Sequence, residues 1–175
     1  MFSRININKI IIAHYKSLSN LNDRKIAIND LIIFILFPFL IAIVLIYYNI
    51  SIKSQVANLI TALSILAGFL FNLLAIIHSS LGKIRDEIRQ QNLEENSLKY
   101  KFANEIHANI SYNILIAILT IVTLVVSGLN IEFNNKALKY ISFCFLNSIC
   151  YFLLIHFLLT LVMILNRVYI LLDKE

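Results

Sequence analysis

The sequence predicts an all-α integral membrane protein with four transmembrane helices, an N-terminal amphipathic helix and a cytoplasmic helical hairpin. Three observations carry that expectation. Of 175 residues, 59% are hydrophobic and 14% charged, against roughly 25% charged in an average soluble domain. Helix breakers are scarce, with three Gly and one Pro, so the long apolar runs read as helices. Those runs, residues 31–48, 55–78, 107–129 and 138–167, approach or exceed a ~30 Å hydrocarbon core at ~1.5 Å per residue. No room is left for a separate soluble domain of ordinary size, so residues 1–175 are expected to form a single membrane domain.

Residues 3–27 are not a span. Ile7, Ile10, Ile11, His14, Leu18 and Leu21 share one helical face, and Lys9, Lys16, Ser17, Asn20 and Arg24 share the other. Such a basic amphipathic helix lies at anionic headgroups or packs on a neighbouring helix. Residues 1–30 lack a continuous apolar run followed by a small-residue cleavage site, so no cleaved leader is expected. Asn29 or Asp30 is placed to cap the first span. That span has no polar face, which puts it at the lipid-facing periphery. Pro38 should bend it, and Tyr47 and Tyr48 suit an interfacial belt.

A short turn, Asn49–Ser54, leads to the second span, and Asn130–Ala137 links the third to the fourth. The cations set the orientation. Arg4, Lys9, Lys16, Arg24 and Lys25 precede the first span, Lys83, Arg85, Arg89, Lys99 and Lys101 lie between the second and third, and Arg167 and Lys174 follow the fourth. Only Lys53, Lys136 and Lys139 fall on the other side. By the positive-inside rule both termini and the middle segment should face the cytoplasm.

Residues 79–106 read as a helical hairpin extending the second and third spans. Leu81, Ile84 and Ile88 continue one helical period, and Leu98, Phe102 and Ile106 lead into the next, around a polar turn at 91–97. Lys83/Glu87, Glu95/Lys99 and Lys101/Glu105 are i,i+4 pairs of opposite charge, each worth about 0.2–0.5 kcal/mol on an exposed helix. A solvated charged linker is the plainer reading of the same residues.

The candidate functional residues lie on polar faces within the spans. In the second span Asn58, Thr61, Ser64, Gly68, Asn72, Ala75 and Ser79 recur at steps of three and four. The third carries Asn109, Tyr112, Asn113, Thr120, Thr123 and Ser127. A polar face on a membrane helix turns toward other helices or toward water. Two arrangements fit: the two faces hydrogen-bond to each other within one subunit, or they surround a shared axis in a homo-oligomer. In the fourth span, Cys144, Asn147, Ser148 and Tyr151 form one weak polar face, and His156, Thr160, Met163 and Arg167 another. His156 is the one ionisable group near mid-membrane, which suits either gating or a hydrogen bond to a neighbouring helix.

Enzyme signatures are missing: no phosphate-binding Gly loop, no GxSxG and no acidic pair within the spans. No catalytic residue and no cofactor is expected. His78 and His107 fall at one level at the ends of adjacent spans, but no ligand spacing of a metal site accompanies them. Cys144 and Cys150 are six residues apart, unsuited to pairing on one helix. The absence of intramembrane carboxylates argues against a cation-coupled transporter.

The order of a basic amphipathic helix, two tightly linked spans and a charged cytoplasmic helix, with a second span reading Leu66-Ala67-Gly68-Phe69-Leu70-Phe71-Asn72-Leu73-Leu74, resembles the SLATT-type membrane effectors of bacterial antiphage defence. The resemblance covers residues 5–105 and lies in layout; four spans depart from the family's pattern. It implies an oligomeric, membrane-permeabilising effector in the lipid bilayer, controlled from the cytoplasm by a nucleotide or oligonucleotide signal or a protein partner. Lys83, Arg85, Arg89, Lys99 and Lys101 would be the anionic-ligand contacts, although positive-inside topology accounts for the same charges. Alternatives are a non-conducting interaction subunit and a small transporter using His156.

Overall fold

The computed structural model describes residues 7–18, 32–91, 94–129 and 135–173, and among these every regular element is a helix. We label them α1 (Ile7–Ser17), α2 (Phe37–Tyr47), α3 (Val56–Gln91), α4 (Glu94–Gly128) and α5 (Lys136–Asp173); a π-helical turn, Ile32–Leu36, runs directly into α2. Among the described residues, three helices are long and apolar enough to cross a membrane, within Lys53–Arg89, Lys99–Gly128 and Lys136–Leu171. α3, α4 and α5 have 36, 35 and 38 residues. At ~1.5 Å per residue each exceeds a ~30 Å hydrocarbon core by several turns. The apolar helix Ile32–Tyr47 is shorter.

α3 continues without a break past residue 78 to Gln91, and α4 is helical from Glu94. Of the polar turn expected at 91–97, residue 91 and residues 94–97 are helical, and residues 92–93 lie outside the described ones. Arg85 Nη2 donates to the Tyr100 hydroxyl at 2.8 Å and its guanidinium stands 5.7 Å from the ring centroid, joining the two arms. The expected cap at Asn29 or Asp30, the cations Arg4, Arg24, Lys25 and Lys174, and most of the 130–137 link also lie outside the described residues.

The helices are shared between two compact units. One holds α1, α3 from Gly68, α4 as far as Ile114 and α5 from Thr160. Its core is aliphatic, with Leu70, Ile77, Ile106, Ile110 and Ile164 almost fully buried. α1 buries His14 and Ser17, and Leu18 just beyond it is buried too, while Ile7 and Ile12 stay exposed. Of the two settings open to this amphipathic helix, its C-terminal turn takes the packed one.

The other unit holds the π-turn with α2, α3 to Ala67, α4 from Leu115 and α5 to Leu159. Here α2 ends in a left-handed cap: Asn49 has φ 53°, and the amides of Asn49 and Ile50 donate to the carbonyls of Ile46 and Leu45 at 2.8 and 3.1 Å. That paired 5→2 and 6→1 pattern is the Schellman motif, with Asn supplying the left-handed residue that Gly usually provides. α5 secures the loop that follows. Asn147 Oδ1 accepts from the Ile52 amide at 3.2 Å and the Tyr151 hydroxyl donates to the Ile50 carbonyl at 3.3 Å. Two members of the weak α5 polar face thus satisfy backbone groups of the α2–α3 turn.

Pro38 sits in the first turn of α2, where its missing N–H is best tolerated, and the irregularity falls just before it, in the π-turn. In unbroken α geometry the amide of residue 38 would donate to the carbonyl of Phe34. Pro38 has no proton to give. His156 Nδ1 takes its place, donating to the Phe34 carbonyl at 2.8 Å. His156 is 2% exposed and stacks on Phe152, ring centroids 5.9 Å apart. Its role in this structure is a tie from α5 to the backbone ahead of α2.

Candidate functional site

α3 has two opposite faces. Leu63, Leu70, Ile77 and Ile84 are buried and recur every seven residues, close to two helical turns. Asn58, Thr61, Ser64, Gly68, Asn72, Ala75 and Ser79 are all exposed. At 100° per residue the two sets centre on opposite sides of the helix. The polar face therefore points out of the fold. Thr61 Oγ1 donates to the Ala57 carbonyl and Asn58 Nδ2 to Gln55 Oε1, both at 3.0 Å. A Cβ added at Gly68 would meet nothing within 4 Å. Beside this face stands an apolar ridge, Ile65, Phe69 and Ile76, exposed by 68, 66 and 61%.

The polar face of α4 is arranged the other way. Asn109, Asn113 and Thr120 have no exposed surface, Ser127 and Tyr112 have 4 and 5%, and Thr123 is half-buried. The two faces differ in setting: that of α3 is exposed where that of α4 is buried. The hydroxyls need no second helix. Thr120, Thr123 and Ser127 donate to the carbonyls of Ile116, Thr120 and Leu124 at 2.7–2.9 Å, the local bonding that lets Ser and Thr enter an apolar core. An asparagine amide has more bonding capacity than one such contact fills.

A polar node gathers where α1 meets α4 and α5, all inside one unit. His14 Nδ1 donates to Asn109 Oδ1 at 2.9 Å, and the His14 ring stacks on Tyr112 with centroids 3.8 Å apart and planes 6° from parallel. Ser17 Oγ lies 2.7 Å from both Asn109 Oδ1 and the His14 carbonyl, two acceptors for its single proton. Arg167 Nη2 donates to the Ser17 carbonyl at 2.7 Å, while Nη1 stands 3.5 Å from Glu105 Oε2. A cation at the C-terminal end of α1 suits the free carbonyls and dipole there. Glu105, which the sequence pairs with Lys101, thus meets Arg167.

Known proteins do not extend this picture: the chain matches no family model, no curated protein and no solved structure.

The remaining candidates are dispersed. Lys83, Arg85, Arg89 and Lys101 are exposed on the hairpin and Lys99 is half-buried. Among them Arg85 is engaged with Tyr100. The rings of His78 and His107 lie 5.9 Å apart, tilted by 42°. Among the described residues no group of three or more His, Cys, Asp or Glu is placed to hold a metal ion. Cys144 and Cys150 are free thiols.

Sequence reasoning placed Arg167 and His14 without their roles. The signals were present: an arginine at the end of an apolar run needs an acceptor, and a histidine inside an apolar face has a partner when buried.

Proposed function

We propose that this chain is a homo-oligomeric membrane channel, or membrane-depolarising effector, in which the α3 polar faces of several copies gather around a shared axis. One observation supports this above all: a helix long and apolar enough to cross a membrane turns its polar face outward from its own fold. Hydrocarbon cannot pair the Asn72 amide or the Ser64 hydroxyl. Leaving such a group unpaired costs roughly 2–7 kcal/mol, so protein or water covers it. The ridge of Ile65, Phe69 and Ile76 offers an apolar seal between neighbouring copies.

In this reading residues 31–48, 55–78, 107–129 and 138–167 all cross a bacterial inner membrane. Both termini and the hairpin then lie on the cytoplasmic side, in keeping with the placement of the cations. The first crossing is short and requires local bilayer thinning or help from flanking residues. The hairpin and α1 receive the control signal. A cytoplasmic nucleotide or oligonucleotide would find the exposed Lys83, Arg89 and Lys101, and the layout resemblance to antiphage effectors supports a role in defence.

Ion leakage from liposomes carrying the purified full chain tests the proposal. Asn72→Leu is expected to abolish leak while leaving helicity and insertion intact; undiminished leak from the folded variant removes the pore assignment. A non-conducting subunit is the second reading. It is favoured by Ser64 and Gly68, small residues four apart with open space over Gly68, the spacing that lets helices approach closely and exclude water. It predicts assembly without leak.

A further inference from the structure

The α1 node leaves part of its amide chemistry unmet. Asn113 is fully buried, and neither its Oδ1 nor its Nδ2 has a hydrogen-bond partner within the protein. Asn109, four residues earlier on the same face of α4, is equally buried. Its Oδ1 serves His14 and Ser17, whereas its Nδ2 has no partner. The hydroxyls further along this face satisfy themselves on their own backbone. On this face of α4 the unmet capacity lies on two carboxamides one helical turn apart, and it includes both donors and an acceptor.

We propose that Asn109 and Asn113 hold a buried structural water that bridges their side chains beneath α1. Water fits the chemistry better than an ion. It accepts from an amide N–H of one residue and donates to the free amide oxygen of the other, which a metal cation or an anion cannot do at once. An interior water typically makes two to four hydrogen bonds to groups that would otherwise go unpaired. The mixed donor and acceptor set offered by Asn113 and the Asn109 Nδ2 meets that requirement. Such a water completes the node from which His14 and Ser17 hang, so it helps to fix α1 against α4.

Two measurements on the full chain in detergent micelles test this. Leucine keeps the branched outline of asparagine but needs more room, so the midpoint is read together with the second measurement. If the Asn113 amide is bare, Asn113→Leu removes an unpaired polar group and raises the thermal midpoint. If the amide is water-bridged, the substitution loses those bonds and lowers the midpoint by at least about 2 °C. A raised or unchanged midpoint overturns the proposal. Magnetisation transfer from water to the Asn113 side-chain amide protons of the unaltered chain decides independently, including where the variant does not fold. A long-lived water contact at those protons is expected; amide protons silent to water overturn the site.

Discussion

His156→Leu should lower the stability of the fold by about 1–3 kcal/mol, the cost of leaving a buried carbonyl without its donor. The carbonyl at stake is that of Phe34, itself buried, which His156 reaches at 2.8 Å. The cause is Pro38, which removes the amide that an α-helix would aim at Phe34. A non-additive pair follows. Pro38→Ala restores an N–H at that position, so in the His156→Leu background it should recover part of the loss. Chemical unfolding of the four proteins of the cycle in detergent measures the coupling. Strict additivity would separate the histidine from the proline and undo this account of both. A merely gating His156 would leave the unfolding midpoint in place and change only conductance.

Arg167→Leu is expected to cost about 2–3 kcal/mol, because one change strips a charged hydrogen bond from the Ser17 carbonyl and leaves the Glu105 carboxylate without its cation. The Arg167 and Glu105 side chains keep 18 and 21% of their surface, so the penalty falls short of that for a fully buried pair. α1 should be the first element released. Limited proteolysis at Lys9 or Lys16 should then accelerate before any cut within α4 or α5. Arg167→Lys keeps the charge but not the two-pronged fork that reaches α1 and α4 together, and its protection should be intermediate. Glu105→Gln in the Arg167→Leu background should return part of the stability by removing the stranded charge. Unaltered cleavage of α1 in Arg167→Leu would show that the guanidinium does not hold it.

Much of the fold was legible because helices in an apolar chain announce themselves through length and the scarcity of breakers. The all-helical class follows from that alone, as do three of the four expected spans, while the first, residues 31–48, corresponds to the shorter apolar helix Ile32–Tyr47. The direction of the polar faces was not legible from them. A stripe with a period of 3.6 residues looks the same whether it faces a neighbour in its own subunit or points outward. Deciding information lay on the opposite side of α3, in the sevenfold spacing of Leu63, Leu70, Ile77 and Ile84, which marks the face that packs and leaves the polar side over. His156 had a partner that sequence alone signals weakly. Pro38 shows that the Phe34 carbonyl lacks its helical donor, but only the packing of α5 shows which side chain arrives. The α1 node was hidden for a different reason: His14, the α4 residues Glu105 and Asn109, and Arg167 come from three separate parts of the sequence, and each alone reads as an ordinary polar residue near a helix end.

The central claim is that the outward polar face of α3 meets the same face of other copies. Cysteine cross-linking in native membranes tests it most directly, in a chain whose Cys144 and Cys150 have been replaced by Ser or Ala. Single cysteines at Thr61, Ser64, Gly68 and Asn72 should form disulfide-linked dimers of this chain at a helical period. Cysteines at Leu63 and Leu70, on the buried face of α3, should not. Cross-links independent of the face, or none at the polar positions, would contradict the account.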